Sequence, residues 1–300
     1  MHPTLIVGSI AFDTLHIAKQ CHAKVLGGAA TYAALAASQF APVQLVGVVG
    51  RDFPDSATKL LRSRNIDLAG LEVADGETFH WEGRYSDDLS TRETLRTDLN
   101  VFADFRPKIP SSFRAAPFVM LGNIDPILQF EVLEQIDKPR FVLADTMNLW
   151  IDIRQSELKK LCGRIDMLVL NDEEARQLSD EKNLVHAARA LSALGPKHVI
   201  IKKGEHGALL FQGDDVFAIP ALPLSKVVDP TGAGDTFAGG LIGHLARSND
   251  VSTAALRKAV VYGSVLASFC VEGISIERVV GVTAADVSAR YERFQRLTSF

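Results

Sequence analysis

One stretch in the last third of the chain combines glycines with two carboxylates. Residues 229–240 read Asp-Pro-Thr-Gly-Ala-Gly-Asp-Thr-Phe-Ala-Gly-Gly. Gly232 and Gly234 free the backbone to approach a ligand, so that several N–H groups can point at one anion. Asp235 stands directly before a helical pattern that starts at Thr236, which puts a proton acceptor beside a site for negative charge. This pairing suits phosphoryl transfer to an alcohol, in which phosphates are held and the attacking hydroxyl loses its proton.

Three other interpretations of this stretch can be compared with this one. Aspartate is a favoured helix N-cap, so Asp235 alone could serve only to stabilise a helix. A dinucleotide fingerprint would need glycine at position 237, where Phe237 stands; it would also follow an N-terminal strand. No G-x-x-x-x-G-K-[ST] loop occurs anywhere in the chain, which excludes a Walker A site.

Polar residues also follow two of the apolar runs that typify buried strands of a parallel sheet. Asn171 and Glu174 come after the run Met167–Leu170, and Lys202 comes after the run Val199–Ile201. Ligands of open α/β sheets bind at the carboxyl ends of the strands, so these side chains are candidates for one site. Acids in a first helical turn can instead merely offset the helix dipole, and that alternative stays open.

Residues 229–235 resemble the D-T-x-G-A-G-D signature of the ribokinase-like (PfkB) carbohydrate kinases, with proline and threonine between the first aspartate and the first glycine. A glycine pair near the N-terminus and an N-x-x-E in the middle complete the family's ordered set, so the resemblance covers nearly the whole chain. It implies that Asp235 is the general base. It also implies that the backbone of Gly232, Ala233 and Gly234 forms the anion hole.

The same resemblance implies a set of residues on the nucleotide side. Asn171 and Glu174 match the family's N-x-x-E, which organises Mg²⁺ and the phosphates of ATP, with Glu174 acting through water. Oxygen ligands and retained waters suit Mg²⁺. Gly204 and Gly207 match a loop beside the nucleotide, and Lys202 would lie near the phosphates or the ribose. A plain turn between strands also favours glycine, so a structural role for this loop stays open.

Near the N-terminus, Asp13, Gly27 and Gly28 match the residues that bind the acceptor in this family. The glycines would let the substrate approach the backbone, and a carboxylate can accept from two neighbouring hydroxyls, which fits a vicinal diol. A turn at Asp13 and a helix start at Gly27 are the structural alternatives. The chain departs from the ribokinase pattern G-G-K-G-A-N, because Tyr32 replaces its asparagine and its lysine is missing. This departure argues against ribose itself.

Four further residues are weaker candidates. Asp229 and Thr231 match positions that bind an activating monovalent cation such as K⁺ in several family members, a feature that varies across the family. Asn123 and Asn148 each follow an apolar run and are candidate substrate contacts. Ordinary capping of a loop would explain both asparagines equally well.

The bulk composition limits the classes of protein that the chain can belong to. Its 300 residues are 47% hydrophobic, enough for a sizeable core. A net charge of −4 gives no general attraction to nucleic acid. Three cysteines without CxxC spacing form no disulfide framework, and no signal peptide or membrane-spanning run is recognisable. We expect a cytoplasmic protein with a small-molecule substrate and with neither a nucleic-acid nor a membrane partner.

Apolar runs alternate with helical patterns along most of the chain, which predicts an α/β fold with a mostly parallel sheet and helices on both faces. The resemblance implies a ribokinase-like three-layer α/β/α core in a single domain, residues 1–300. Two polar segments, 12–27 and 78–102, interrupt the alternation. Segments in these places form a small β lid over the substrate in the family; alternatively, they are surface excursions.

Together these features predict transfer of the γ-phosphoryl group of ATP, with Mg²⁺, to a hydroxymethyl group of a nucleoside or a sugar, by a homodimer formed through the lid. Phe79, Trp81 and Tyr85 alternate along the second lid segment. A base stacked on such a ring gains about 1–3 kcal/mol, by analogy with single-strand binding, which favours a nucleoside. These aromatics could instead form the lid's own core. The alternatives are a kinase for a free sugar of the fructose or ribose type, a kinase for a phosphosugar or vitamin precursor, and a non-catalytic regulator on the same fold.

Overall fold

The computed structural model describes residues 1–299. Within them the chain forms two sheets and two layers of helices. The strands are β1 (Thr4–Val7), β2 (Ala11–Ile17), β3 (Gln20–Gly27), β4 (Val43–Val49), β5 (Ile66–Val73), β6 (Phe79–Tyr85), β7 (Arg92–Asp98), β8 (Phe118–Leu121), β9 (Phe141–Asp145), β10 (Met167–Asn171), β11 (His198–Lys202), β12 (Ala208–Gln212) and β13 (Asp215–Ile219).

The large sheet has the strand order β13-β12-β11-β10-β9-β8-β1-β4-β5. At one edge of the sheet, β12 pairs in antiparallel fashion with both β11 and β13, and the other pairs are parallel. Parallel strands end at the same edge of a sheet, so Asp145, Asn171 and Lys202 come together there. The register pairs Asn171 with Lys202 directly.

Helices cover both faces of this sheet. They are α1 (Ala29–Ala37), α2 (Asp55–Ser63), α3 (Pro126–Leu133), α4 (Asn148–Ile153), α5 (Gln155–Cys162), α6 (Asp172–Ser179), α7 (Leu184–Ser192), α8 (Ala233–Ser248), α9 (Thr253–Cys270), α10 (Glu277–Gly281) and α11 (Ala284–Leu297). Successive residues of a strand point to opposite faces. Met120 therefore joins the core under α1, α8 and α9, while its neighbours Val119 and Leu121 join the core under α3 to α7.

The two polar segments form a separate four-stranded sheet with the order β3-β2-β6-β7. Strand β2 pairs in parallel with β6, with Asp13 opposite Trp81, and Tyr85 pairs with Arg92 across β6 and β7. These residues share one face of the small sheet, because paired residues project to the same side. The other face is polar: His80 contacts Thr14, and His16 pairs with Glu82.

The structure confirms the three-layer core with its mostly parallel sheet and its second small sheet. That residues 1–300 act as one domain with 12–27 and 78–102 as its lid stays a prediction, and Phe300 lies outside the described residues. No helix within residues 1–299 has the length and apolar character needed to cross a membrane.

Candidate active site

The glycine-rich loop leads into α8 through a left-handed residue. Gly232 has a φ of 72°, and the helix begins at Ala233, earlier than the start predicted at Thr236. A Cβ at Gly232 would lie 2.4 Å from the ring of Tyr32. Both the backbone conformation and the available space therefore require glycine. The earlier start places Asp235 inside the first turn, where the helix dipole favours negative charge.

This helix start leaves N–H groups without intrahelical partners. The N–H of Ala233 donates to the carbonyl of Pro230 (3.2 Å), and that of Thr236 donates to the carbonyl of Gly232 (2.8 Å). Between them, the N–H groups of Gly234 and Asp235 donate to no backbone oxygen of residues 1–299. The N–H of Ala233 is thus already paired, whereas those of Gly234 and Asp235 have no backbone acceptor in the described part of the chain; an anion hole formed by Gly232, Ala233 and Gly234 stays a prediction.

Four charged side chains from four elements converge beside this helix start. The ammonium of Lys202, at the end of β11, lies 3.4 Å from Oδ1 of Asp145, at the end of β9. The same nitrogen is only 2.9 Å from where a Cβ of Gly234 would stand. Asp235 in α8 and Glu174 in α6 interact electrostatically with both members of this pair. Three carboxyl groups therefore act electrostatically on one ammonium group.

Burial and neighbouring charges shift the pKa values of Asp235, Glu174 and Lys202. Burial raises the pKa of Asp235 to about 7; Asp145 adds to this rise and Lys202 opposes it. Burial also raises the pKa of Glu174 to about 7, again against Lys202. Burial alone would lower the pKa of Lys202, but Asp145, Glu174 and Asp235 together raise it, so the lysine stays charged. A carboxyl group with a pKa near 7 suits a general base.

Asn171 and Glu174 form a reciprocal capping box at the start of α6. The side-chain oxygen of Asn171 accepts from the N–H of Glu174, and Oε2 of Glu174 accepts from the N–H of Asn171, both at 2.8 Å. Glu174 is only 6% exposed. Its other oxygen, Oε1, makes no hydrogen bond within residues 1–299. Glu174 therefore does cap the helix, and this capping leaves one of its carboxylate oxygens for a ligand.

The residues present fit a magnesium ion that keeps most of its water. When all three are ionised, Asp145, Glu174 and Asp235 carry more negative charge than Lys202 balances. Carboxylate oxygens with retained waters are the usual environment of Mg²⁺. Within residues 1–299 no three His, Cys, Asp or Glu side chains are gathered closely enough to hold a metal by themselves.

The turn after β11 needs its second glycine more than its first. Gly207 has a φ of 86°, and a Cβ there would lie 2.0 Å from the carbonyl of Ile219. Gly204 has a φ of 54° with open space around it. The turn is closed by the N–H of Lys203 donating to the carbonyl of Gly207 (2.7 Å). The structural reason for Gly207 is thus explicit, and contact of Gly204 and Gly207 with a nucleotide stays a prediction.

The predicted acceptor residues lie together where the small sheet meets the core. Asp13 is on β2, and a Cβ at Gly27 would lie 2.0 Å from its Oδ2, so glycine makes room for this carboxyl group. Gly28, with a φ of 89°, caps α1. Burial, together with Asp229 and Asp235, raises the pKa of Asp13 to about 8. Asp235 is thus near enough to influence the ionisation of Asp13, and a shared site for the acceptor stays a prediction.

Tyr32 takes a different position from the asparagine of the ribokinase pattern. Its side chain is 1% exposed and packs behind Gly232. Tyr32 thus packs against Gly232 and supports the glycine-rich loop. Direct contact of Tyr32 with a substrate stays a prediction.

The face of the small sheet that carries Asp13 also carries an aromatic and a cationic group. The hydroxyl of Tyr85 lies 2.9 Å from Oγ1 of Thr231, in the glycine loop. The guanidinium of Arg92 lies 5.4 Å from the ring centre of Trp81. Phe79 instead stacks on Phe102 at 5.4 Å. Of the three predicted aromatics, Phe79 belongs to a local core, while Trp81 and Tyr85 face the site.

At the candidate site for a monovalent cation, the side-chain oxygens of Asp229 and Thr231 already take part in hydrogen bonds within the protein. Oδ1 of Asp229 accepts from the N–H of Thr231, and Oδ2 accepts from the N–H of Ser275, both at 2.8 Å. The side chain of Thr231 is held by Tyr85. Binding of K⁺ at Asp229 and Thr231 stays a prediction, because each oxygen retains a further lone pair.

Neither predicted asparagine is tied to the charged cluster. Oδ1 of Asn123 accepts from the indole N–H of Trp150 (2.9 Å). Asn148 is exposed at the first residue of α4. No hydrogen bond within residues 1–299 connects either residue to Asp13 or Asp235. Their contact with substrate stays a prediction, and Asn123 has a structural role.

Sequence reasoning missed two residues of the site. Asp145 ends the buried strand β9, just as Asn171 ends β10, so its position could have identified it. The sequence pattern instead indicated Asn148, three residues later. Arg92 stands opposite Tyr85 in the small sheet. Its charge opposes the raised pKa values of Asp13 and Glu174. The alternation of Trp81 and Tyr85 in β6 identified this face, but the pairing of β6 with β7 was needed to add Arg92.

Proteins of similar sequence and similar fold are kinases. The model of the pfkB family of carbohydrate kinases matches residues 1–276. A cytidine kinase of Thermococcus kodakarensis is 30% identical over 81% of this chain and 88% of its own length. A nucleoside kinase of Methanothermobacter thermautotrophicus is 28% identical over 82% of this chain and 78% of its own. The solved structure of a fructokinase from Vibrio cholerae, bound to fructose, ADP and calcium, has a TM-score of 0.80 at 20% identity, covering 97% of this chain and 99% of that one.

The chain belongs to the pfkB family of carbohydrate kinases. It is an ATP-dependent phosphotransferase of the class that acts on sugars and nucleosides. The likeness to the fructokinase concerns the fold, and the acceptor has to be argued from the side chains of the site.

Proposed function

We propose that this kinase phosphorylates the hydroxymethyl group of a nucleoside, with Asp235 as general base. One observation carries the proposal. Asp235 lies in the first turn of α8, beside two N–H groups with no backbone acceptor and beside the Lys202 ammonium. A proton acceptor and a site for developing negative charge thus share one corner of the molecule, as phosphoryl transfer to an alcohol requires.

Each residue then has a chemical task. The Asp235 carboxylate takes the proton of the attacking hydroxyl, an effect worth about 10²–10⁴-fold in general base catalysis. The N–H groups of Gly234 and Asp235 stabilise charge on the transferred group. Mg²⁺, held through water by Glu174, would neutralise charge on the phosphates of ATP. Asn171, Gly204 and Gly207 complete the nucleotide side in this proposal.

The acceptor is proposed from the face of the small sheet. Asp13 would hold two neighbouring hydroxyls of a ribose, between the glycines Gly27 and Gly28. Trp81, beside it in the register, offers a ring for a nucleobase, with Arg92 over that ring. A free sugar lacks the planar base that would stack on Trp81. The relatives that are nucleoside kinases add support, whereas the fructokinase fold keeps a free sugar as the alternative acceptor.

Two further parts of the proposal concern assembly and location. We propose a homodimer through the small sheet, since its edge strand β7 exposes nearly every residue and offers free backbone groups. Size-exclusion chromatography with light scattering tests this directly. We also place the protein in the cytoplasm, because Cys21, Cys162 and Cys270 are all free thiols.

The function is tested by steady-state kinetics with ATP and a panel of acceptors: cytidine, adenosine, inosine, ribose, fructose and myo-inositol. A nucleoside should give the highest kcat/KM. A free sugar in first place would contradict the nucleoside preference and leave the kinase intact. In the same assay, Asp235→Asn should lose at least about 10²-fold in kcat while binding ADP as before. Activity within about threefold of the unmodified enzyme would contradict Asp235 as the base.

A further inference from the structure

The ion pair between Lys202 and Asp145 is held in place by more hydrogen bonds than the balancing of two charges would need. We propose that Lys202 stabilises the transferred phosphoryl group and that Asp145 is a positioning residue, which holds the lysine ammonium against Gly234. The proposal deepens the proposed function and rests on it. It assigns a role to Asp145, a residue outside the family signature. It also replaces the general contact with the nucleotide that was predicted for Lys202 by a specific contact with the transferred phosphoryl group.

Asp145 is well placed to fix a partner and badly placed to be a base. It is 4% exposed. Its Oδ1 accepts from both the N–H of Thr146 (3.0 Å) and the Lys202 ammonium (3.4 Å). Its backbone carbonyl accepts from the amide of Gln129 (3.0 Å), which is itself fully buried. Hydrogen bonds thus hold the residue on its main-chain and side-chain sides, so its carboxylate cannot follow a substrate.

Lys202 is held where the available N–H groups begin. Its Nζ would be 2.9 Å from a Cβ at Gly234. Any side chain at this position would therefore displace the ammonium from the start of α8. The glycine consequently serves two purposes, because it gives a bare N–H to an anion and leaves room for a cation beside it. A fixed cation and a fixed N–H group that face the same anion cost no reorganisation during the reaction.

The two residues act on Asp235 with opposite sign. The charged groups that face Asp235 are Asp145 from β9, Glu174 from α6, Lys202 from β11 and Asp13 from β2. Loss of the Asp145 charge should make Asp235 easier to ionise, while loss of the Lys202 charge should make it harder. A general loss of structure would not shift the two variants in opposite directions.

The first experiment compares Lys202→Met, Asp145→Asn and the double variant. Asparagine keeps an oxygen for the N–H of Thr146, so the fold should persist, which circular dichroism and thermal unfolding check. Lys202→Met should lower kcat by about 10²-fold, in the range found for loss of one preorganised donor. Asp145→Asn should lower it less. Because Asp145 acts through the lysine, the double variant should be no slower than Lys202→Met. Lys203→Met, which removes the same charge one residue away, is the control and should stay near the unmodified rate.

The acidic limb of the kcat pH profile gives the second readout. It should move to lower pH in Asp145→Asn and to higher pH in Lys202→Met. Shifts in the same direction, or losses that add in the double variant, would overturn the role of Asp145. An unchanged kcat in Lys202→Met would overturn that of Lys202.

A third readout needs no turnover and therefore separates this proposal from the proposed function. Calorimetry should show that Lys202→Met weakens a non-hydrolysable ATP analogue at least about tenfold while ADP binding changes little. Equal effects on both nucleotides would contradict contact with the terminal phosphoryl group, whatever the acceptor proves to be.

Discussion

The hydroxyl of Tyr85 lies 2.9 Å from the hydroxyl of Thr231, although the two residues are 146 positions apart in the chain. Tyr85 ends strand β6 of the small sheet, and Thr231 belongs to the loop that leads into Asp235. This contact joins the small sheet directly to the proposed catalytic loop. Trp81 and Asp13 lie on the same face of the small sheet as Tyr85. The contact between Tyr85 and Thr231 therefore also positions Trp81 and Asp13 relative to the loop that leads into Asp235.

The first prediction concerns this hydroxyl pair. Tyr85→Phe and Thr231→Val each remove one hydroxyl at nearly constant volume. Each should raise KM for the acceptor about two- to tenfold, because a hydrogen bond of this kind contributes about 0.5–1.5 kcal/mol. In a double-mutant cycle the two effects should not add, since they remove the same bond. Strictly additive effects would show that the contact does not couple the small sheet to the loop.

Gly232 offers a second test, with Gly213 as its matched control. Both have left-handed backbones, with φ of 72° and 63°, but only Gly232 has a neighbour in the way, the ring of Tyr32. Gly213→Ala should lose only the roughly 1–2 kcal/mol of a left-handed alanine. Gly232→Ala should lose more stability and most of kcat. Denaturant unfolding and kinetics measure both. Equal behaviour of the two variants would contradict the fit between Gly232 and Tyr32.

Glu174 should respond to magnesium in a way that its exposed neighbour does not. Glu174→Gln keeps an oxygen for the capping box but removes the charge, so more Mg²⁺ should be needed for half-maximal rate. Glu173→Gln removes the same charge from an exposed position of the same turn. It should leave the Mg²⁺ titration unchanged. Coincident titrations for the two variants would reduce Glu174 to a helix cap.

The buried carboxyl groups should make the ligand-free protein less stable as pH rises. Burial raises the pKa of Asp13 to about 8 and that of Asp235 to about 7. A group with a raised pKa stabilises the fold while it is protonated, and that contribution is lost as pH rises through the folded-state value. His244, whose pKa burial lowers to about 4, has the opposite effect, but it is neutral in both states above about pH 6.5.

We therefore expect Tm to fall between about pH 6.5 and about pH 8.5. Asp13→Asn should flatten the upper part of that fall, because asparagine has no proton to lose. Differential scanning calorimetry in buffers of matched ionic strength measures the effect. A Tm that rises across this window would contradict the assignment of protonated carboxyl groups to the folded state.

A monovalent cation provides the last prediction. If Asp229 and Thr231 bind K⁺, replacing a large organic cation by K⁺ should raise kcat. Asp229 already accepts from two backbone N–H groups. The expected activation is therefore modest, and Asp229→Asn should abolish it. A flat response to K⁺ in the unmodified enzyme would remove the site.

Much of the fold and of the site could be predicted from the sequence alone. The alternation of apolar strands with helices indicated a parallel sheet, because each strand must bury both of its faces. The order of the glycine pair, the N-x-x-E and the glycine-rich loop pointed to Asp13, Glu174 and Asp235, whose roles stay predictions. These are local patterns, set by backbone conformation and by which residues must be buried, and they can be read without knowing what packs against them.

Only the tertiary structure decided which side chains meet. Asp145 and Lys202 pair because β9 and β11 both end at one edge of the sheet beside β10, a relationship that no spacing along the chain reveals. Tyr32 lies under Gly232 because α1 packs on α8, and Arg92 joins the site because β7 pairs with β6. The raised pKa values of Asp13 and Asp235 likewise follow from burial and from neighbours far away in sequence. Electrostatic and packing energies depend on distances in space. The sequence determined which residues are present, and the tertiary structure decided which of them come close enough to interact.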